Sequence, residues 1–493
     1  MTTLIKNGLV YNGEGNTPLR IDILINGDKI IRLGSFSGKK FDKIIDATNA
    51  IVFPGFIDIN SVSDHYLTIF SDSSQENYIK QGVTAIIGGN CGASLAPIAG
   101  NLDSIRKWGD PSKININWHS FNELSNILKK QKIGVNFGSL IGYSTVRRSI
   151  IGEKLRDLTD REMESLKKII SQSFNEGAYG VSLGWDFIHS KQIPYLEIKE
   201  IARLTASADK IFATHLKDSF ENLVNGIKEI INLAKDTDVN MEINDFRPLQ
   251  SASKDYLKAK LLLEENTANS HIDFDVSLYS SKPMPIYLFL PSWLQNGGFE
   301  IMLTHLNDKH FNKRIFTHFK NFNLKNIIIG NMPDSLKFLS GKTLESFAAN
   351  SLLTLPETLL ALMKICGLRG TIFYKNIDEK LLEDFIMSPK TIIASHWASF
   401  SGKEKADIYK EGVFKKFILW AKEQKDVPLE KNIMKITSLP AKKYHLKERG
   451  YIRENYFADL SIWRDWEVNT VLVNGNIALE NEKLTNQNYG VVI

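Results

Sequence analysis

Short apolar runs alternate with amphipathic stretches through the middle of the chain. Eight of these runs are apolar on both faces, which is typical of strands in a parallel sheet that helices cover. They span residues 51–59, 83–88, 134–141, 178–183, 210–214, 239–244, 272–276 and 391–395. An open doubly wound sheet is the alternative, but a count of eight favours an α/β fold of the closed (β/α)8 TIM-like barrel type.

The stretches between the runs carry helix signals. Thr159 and Glu162 form a capping-box pattern ahead of apolar residues at helical spacing, and residues 222–235 repeat that spacing. The segment 280–390 is too long for one step from strand to helix to strand. We predict that it is a largely helical insertion over the mouth of the barrel.

Both ends of the chain are rich in β signals. Apolar stretches lie at 2–11, 19–33, 458–463 and 468–473, and Asn-Gly pairs, which are typical of hairpin turns, occur at 12–13, 26–27 and 474–475. We predict that the two ends meet in one small β domain. The expected division is residues 1–50 and 455–493 for that domain and 51–454 for the barrel.

Composition and charge narrow the functional classes. Of 493 residues, 43% are apolar and 24% charged, as in ordinary globular proteins, and a net charge of +5 is too dilute for a nucleic-acid surface. Two cysteines, Cys91 and Cys366, are too few for a disulfide framework. The sequence shows neither a membrane-length apolar run nor a signal-peptide pattern. We expect a cytoplasmic protein with a small-molecule substrate and with no nucleic-acid or membrane partner.

Candidate reactive side chains follow the predicted strands. In a barrel the reactive groups lie at the carboxyl ends of the strands, where this sequence has Cys91, His215, Asp245 and His396. Thiolate, imidazole and carboxylate are ordinary zinc ligands, and three of them plus water form a catalytic site. We therefore predict one zinc ion held by Cys91, His215 and Asp245.

The remaining groups complete a hydrolytic site. A bound zinc ion polarises a carbonyl group and lowers the pKa of its water to about 7. His396 is the candidate general base, or a fourth ligand. Arg247, two residues after Asp245, presents a fork of donors that suits a substrate carboxylate.

Each of these residues taken alone also has a structural explanation. Cys91 fits inert packing, the histidines fit hydrogen-bonded wall positions, Asp245 fits the cap of a following helix, and Arg247 fits a surface charge. Their placement at four strand ends that face one mouth favours the functional interpretation.

Several tracts occur in an order that points to one family. The most specific is Gly89-Asn90-Cys91-Gly92, and weaker ones lie at residues 54–58, 81–84, 142–147, 177–182, 290–293 and 437–441. Together they resemble the N-acyl-D-amino-acid deacylase (D-aminoacylase) family of the amidohydrolase superfamily over nearly the whole chain. The resemblance implies a (β/α)8 barrel, a small β domain from both termini, and zinc-dependent hydrolysis of an amide.

The resemblance also assigns roles to single residues. Cys91 and His215 fall on family metal ligands, Tyr279 falls on a substrate-binding tyrosine, and Arg247 stands for a family lysine. Where the chain departs from the family, it has Asn60 and Val62 for a His-x-His ligand pair, Asp245 for a histidine, His396 for the catalytic aspartate, and Asp407-Ile408-Tyr409 for a His-Pro-Arg tract.

Three hypotheses follow. The leading one is a single-metal amidohydrolase that cleaves the C–N bond of an N-acyl amino acid or a similar small amide. The second is a catalytically inactive relative with a binding or scaffold role, motivated by the replaced His-x-His pair and catalytic aspartate. The third is a cysteine nucleophile, Cys91 with a nearby histidine, which ranks last because the turn around Cys91 resembles a metal-ligand turn.

Overall fold

The fold is described from a computed structural model of the whole chain. The structure describes residues 1–36, 40–98, 102–105, 109–217, 222–266, 271–295, 297–400, 412–485 and 487–493.

The described residues form strands and helices that alternate through the middle of the chain. The strands are β1 (Thr2–Val10), β2 (Leu19–Asn26), β3 (Lys29–Gly34), β4 (Lys43–Asp46), β5 (Ile51–Pro54), β6 (Phe56–Asp58), β7 (Val83–Gly88), β8 (Asn136–Ser139), β9 (Ile141–Gly142), β10 (Gly180–Leu183), β11 (Ile211–Thr214), β12 (Asn240–Ile243), β13 (Ile272–Val276), β14 (Lys282–Pro285), β15 (Ile327–Ile329), β16 (Thr371–Tyr374), β17 (Thr391–Ile393), β18 (Leu460–Arg464), β19 (Glu467–Val473), β20 (Asn476–Glu480) and β21 (Lys483–Leu484). The helices are α1 (Thr68–Ser71), α2 (Glu76–Ile79), α3 (Phe121–Gln131), α4 (Tyr143–Ile151), α5 (Asp160–Asn175), α6 (Tyr195–Ser207), α7 (Leu223–Thr237), α8 (Ser253–Glu265), α9 (Gly298–Asn307), α10 (Asn312–Phe319), α11 (Leu344–Ser351), α12 (Leu355–Ile365), α13 (Glu379–Met387), α14 (Val413–Glu423), α15 (Leu429–Ile433) and α16 (Ser438–Lys443). Among the described helices, none combines the length and apolar character needed to cross a bilayer.

Nine of the strands form the predicted barrel. Strands β6, β7 and β8 pair in parallel, and β9 to β13 followed by β17 form a second parallel sheet, with only Leu140 between β8 and β9. Backbone hydrogen bonds close the cylinder between its first and last strands: His396 N donates to Asn60 O at 3.1 Å, and Val62 N donates to Trp397 O at 2.9 Å. The closed barrel is confirmed. Its eight predicted strands are present, because β8 and β9 together correspond to the single run predicted at 134–141.

The first predicted strand, 51–59, is divided between two sheets. Strand β5 pairs with β1 and β18 in the terminal sheet, whereas β6 pairs with β7 in the barrel. Gly55 joins them, and a Cβ atom at Gly55 would lie 2.1 Å from Oγ1 of Thr84. The close approach of this backbone to the neighbouring strand explains why a glycine marks the crossing point.

The two ends of the chain meet in one nine-stranded sheet. Its main path runs β21-β20-β19-β18-β5-β1-β2-β3, with β4 paired to β1. The sheet has its own apolar core, which includes Ile5, Ile23, Val52, Leu460 and Leu472. The expected joining of N-terminal and C-terminal strands is therefore observed.

The segment between β13 and β17 contains helices and a small sheet. Strands β14, β16 and β15 pair antiparallel in that order, and helices α9 to α12 pack around them. These elements form an apolar core that is separate from the barrel core and includes Phe289, Leu359 and Met363. The prediction of a largely helical insertion missed this three-stranded sheet, because its strands are short and lie among longer helical patterns.

Candidate active site

Cys91 and His215 meet at the carboxyl ends of two barrel strands. Cys91 lies in the turn after β7 and His215 directly follows β11, and Cys91 Sγ is 3.0 Å from His215 Nε2. Both residues are buried, with 5% and 7% of their surfaces exposed. The structure therefore brings together two of the predicted site residues.

The backbone of the Cys91 turn is held in an unusual conformation. Cys91 has a φ of 56°, between Gly89 at 71° and Gly92 at 75°. Left-handed φ values are uncommon for residues with a side chain and concentrate at functional sites. Ser182 on β10 fixes the turn, because its hydroxyl donates to Gly89 O and accepts from Gly92 N at 3.0 Å. The thiol is thus aimed by the neighbouring strand as well as by its own turn.

A carboxylate lies on the other side of the His215 ring. Asp186 Oδ1 is 3.5 Å from His215 Nδ1, and the backbone N–H of His215 donates to Leu183 O, at the end of the strand that precedes Asp186. Burial lowers the pKa of His215, but Cys91 and Asp186 outweigh burial and raise it to about 10. The sulfur and the carboxylate on either side of the ring therefore favour its protonated form.

Asp245 lies in a second cluster, between two buried cations. Arg247 Nε donates to its Oδ1 at 2.5 Å, and Lys282 Nζ is 3.1 Å from its Oδ2. Burial raises the pKa of this carboxyl group, but Arg247, Lys282 and His396 outweigh burial and hold the pKa well below its usual range. Asp245 is thus an ionised partner of protein cations.

His396 is held by a carboxylate that sequence reasoning did not single out. Its Nε2 donates to Asp275 Oδ1 and lies 4.0 Å from Asp245 Oδ1. Asp275 also accepts from the side-chain amides of Asn60 and Asn244, each at 3.0 Å. Burial lowers the pKa of His396, but the two carboxylates raise it overall. His396 is therefore held as a proton donor in the resting site.

The other predicted site residues are buried around these clusters. Arg247 turns its Nη1 to the carbonyl oxygens of Tyr279 and Ser281, at 3.0 Å each. Tyr279 is 3% exposed and Val62 is 2% exposed. The tract Asp407-Ile408-Tyr409 lies outside the described residues.

The predicted three-ligand zinc site does not fit this arrangement. Among the described residues, no group of three histidine, cysteine, aspartate or glutamate side chains could hold a metal ion. Zinc bonds of about 2.3 Å to sulfur and 2.0–2.1 Å to nitrogen in a tetrahedral site would separate Sγ and Nε2 by about 3.6 Å. The observed 3.0 Å is instead a direct contact, and Asp245 is engaged by Arg247 and Lys282.

Three residues of the clusters were not predicted. Asp186 follows β10, so a polar residue just beyond a strand end was the signal that could have found it. Asp275 lies within β13, and a carboxylate in a strand predicted to be buried is itself a signal. Lys282 begins β14 in the inserted segment, and no local pattern relates it to Asp245.

Sequence comparison relates the whole chain to bacterial deacylases. The D-aminoacylase of Alcaligenes xylosoxydans xylosoxydans is 24% identical over 513 residues, covering 99% of this chain and 97% of that protein. The N-acyl-D-aspartate deacylase of the same organism is 24% identical over 93% of this chain and 85% of that protein. No family model matches the chain.

Solved structures show the same fold. A D-aminoacylase variant in complex with copper chloride superposes with a TM-score of 0.80 at 23% identity, covering 100% of this chain and 99% of its own. The N-acyl-D-glutamate deacylase of Bordetella bronchiseptica, complexed with zinc and a phosphonate inhibitor, superposes with a TM-score of 0.81 at 18% identity, covering 99% of this chain and 98% of its own. Both of these neighbouring structures contain a metal, copper in the first and zinc in the second. The relatives and structural neighbours that cover nearly the whole chain thus include D-aminoacylases and N-acyl-D-amino-acid deacylases.

Proposed function

We propose that this homologue of the D-aminoacylases is an amide hydrolase. Its substrate is an N-acyl amino acid or a similar small linear amide, and it cleaves the C–N bond between the acyl group and the amine. The observation that carries the proposal is the buried contact of Cys91 with His215 at the carboxyl ends of two barrel strands, within a chain related to deacylases along its full length.

The alternative of an inactive scaffold has less support. Replacement of His-x-His by Asn60 and Val62 removes two metal ligands of the family, but Cys91 and His215 are retained in contact. A site without a function would not be expected to keep a thiol at a left-handed backbone position with an imidazole against it.

His396 and Arg247 are proposed to serve the site in changed roles. Since Asp275 and Asp245 favour its protonated form, His396 suits hydrogen-bond donation to the substrate better than the role of general base. Arg247 is held by Asp245 and two carbonyl oxygens, so its contribution to a substrate carboxylate is mainly its charge.

A substrate screen tests the proposal. The purified full-length chain is incubated with N-acetyl derivatives of both enantiomers of neutral, acidic and basic amino acids, and the released amine is measured. Turnover that Cys91→Ala abolishes and Cys366→Ala retains supports amide hydrolysis at this site. Absence of amine release from the whole panel, with and without added zinc, would contradict it.

The one-zinc version of the site is tested on the same preparation. Protein purified without chelator is analysed for bound metal by mass spectrometry. About one equivalent of bound zinc in the wild type, with less bound zinc in Asp245→Ala, would support the ligand set Cys91, His215 and Asp245. Less than about a tenth of an equivalent, which is background for a structural-affinity zinc site, would exclude that set.

A further inference from the structure

Cys91, His215 and Asp186 form a continuous line of side chains. The thiol and the carboxylate contact opposite nitrogens of one imidazole ring, at 3.0 Å for Sγ to Nε2 and 3.5 Å for Oδ1 to Nδ1. The three residues follow three different strands, β7, β11 and β10. A nucleophile, a proton carrier and a carboxylate that orients the carrier are the parts of a catalytic triad.

Close backbone packing sets this line. A Cβ atom at Gly184 would lie 2.4 Å from Cys91 O, and one at Gly92 would lie 2.6 Å from Gly184 N. The turn that carries Asp186 therefore packs directly on the turn that carries Cys91. The hydrogen bond from His215 N to Leu183 O ties the histidine to the start of the same turn. All three groups are positioned by rigid strand ends rather than by long loops.

The contact between Cys91 and His215 favours a proton-transfer pair over a metal-ligand pair. A metal ion between Sγ and Nε2 would require a wider separation, whereas 3.0 Å allows direct transfer of a proton. The third predicted ligand is occupied by Arg247 and Lys282, and both would repel a dication.

We propose that Cys91 is the nucleophile of the amide hydrolysis, that His215 carries the proton, and that Asp186 is a positioning residue for His215. The inference rests on the proposed amide hydrolysis and names the group that performs it. No metal ion takes part in this reaction.

The steps balance with water as the only co-reactant. The Cys91 sulfur forms a bond to the amide carbonyl carbon, the C–N bond breaks, and the leaving amine takes a proton from His215 Nε2. Water then adds to the thioester and gives a proton to His215 while the C–S bond breaks. The acid is released, and the thiolate and imidazolium are restored.

Trapping of an acyl-enzyme tests the nucleophile directly. The full-length protein is mixed with 4-nitrophenyl acetate, stopped with acid and analysed by intact and peptide mass spectrometry. One acetyl group on the peptide that contains Cys91 is expected, unchanged by 1,10-phenanthroline and absent in Cys91→Ala. Cys366, which is 3% exposed in the core of the inserted segment, is the internal control and should stay unlabelled.

Three further variants test the proton carrier and its positioning residue. His215→Ala should slow acetylation of Cys91 about 10²–10⁴-fold, the usual contribution of general acid–base catalysis. Asp186→Asn should give a rate between wild type and His215→Ala, and Asp186→Glu should restore part of it. If both Asp186 variants melt at the wild-type temperature, a slower rate reflects loss of positioning and not loss of the fold.

The outcomes separate this inference from the proposed function. Amide turnover that is lost with chelator and restored by zinc, with no acetyl group on Cys91, would overturn the cysteine mechanism and leave amide hydrolysis standing. Acetylation of Cys91 without amine release from any N-acyl amino acid would support the nucleophile and overturn the substrate class. Chelator-insensitive turnover that Cys91→Ala abolishes would support both.

Discussion

Arg247 Nε and Asp245 Oδ1 are joined by a hydrogen bond of 2.5 Å, with both side chains buried at the mouth of the barrel. Lys282 adds a second cation at the same carboxylate. Asp245→Ala would leave two buried cations without their counterion, and we expect it to lower the free energy of unfolding by about 3–5 kcal/mol, as measured by urea denaturation. Asp236→Ala, which removes the partly exposed ion pair with Lys199, should cost about 0–1 kcal/mol. Equal effects of the two substitutions would contradict the buried cluster.

The His396–Asp275 pair predicts a stability difference that depends on pH. The pKa of His396 is raised in the folded chain, since Asp275 and Asp245 outweigh burial and the nearby Arg247. Its stabilising contribution is complete below the unfolded-state pKa of about 6.5 and is lost as pH rises through the folded-state pKa. His396→Gln should therefore lower the free energy of unfolding more at pH 6 than at pH 9.

The exposed His310 provides the control for this measurement. Its side chain is 94% exposed beside Asp308, so His310→Gln reports the effect of removing a surface histidine. A His396→Gln difference that is the same at both pH values would show that His396 is not held as a cation by the two carboxylates.

The barrel was predictable because strand burial is a local property of the sequence. A run of residues apolar on both faces records that a strand is covered on both sides, and this is why the segments 83–88 and 178–183 coincide with β7 and overlap β10. The order of strands then places Cys91 and His215 at one end of the cylinder. The two residues can meet because the order of the strands brings the ends of β7 and β11 to the same mouth of the barrel.

The partners within the site were not predictable in the same way. Lys282 reaches Asp245 from the inserted segment, and Asp186 reaches His215 from a turn whose position depends on close packing between glycine-containing backbones. Such pairings depend on how distant segments pack in the folded chain, so they leave no periodic pattern in the sequence. A residue type at a strand end thus predicts a candidate, while its partner decides whether it is a metal ligand, an ion-pair member or a nucleophile.

Glu242 on β12 is a buried carboxyl group that lowers the stability of the fold, and a conservative substitution should raise the free energy of unfolding. It is fully buried, and both of its carboxylate oxygens lack a hydrogen-bond partner among the described residues. Burial, with Asp275 and Asp273, raises the pKa of Glu242 well above its usual range, against the effect of Lys443. Folded Glu242 therefore keeps a proton that the unfolded chain releases above pH 4.3 or so, and stability falls as pH rises from there.

We therefore expect Glu242→Gln to be more stable than wild type by an amount that depends on pH. This variant should have a higher free energy of unfolding than wild type at pH 7, and the gain should shrink toward pH 4. Denaturant unfolding at the two pH values measures it, with Glu164→Gln on the exposed side of α5 as the surface control. A loss of stability at pH 7 would mean that Glu242 is ionised and paired.

Gly184 links backbone packing to the reactivity of Cys91. A methyl group at this position would lie 2.4 Å from Cys91 O and from Phe187, so the turn that carries Asp186 must move away from the turn that carries Cys91. We expect Gly184→Ala to lower the free energy of unfolding by about 1–3 kcal/mol, as overpacking does, and to slow iodoacetamide alkylation of Cys91 followed by peptide mass spectrometry. Gly226→Ala is the matched control, because a Cβ atom there meets nothing within 4 Å inside helix α7, and it should be neutral or stabilising. Equal rates of Cys91 alkylation in Gly184→Ala and Gly226→Ala would show that the packing of the two turns does not control the reactivity of the thiol.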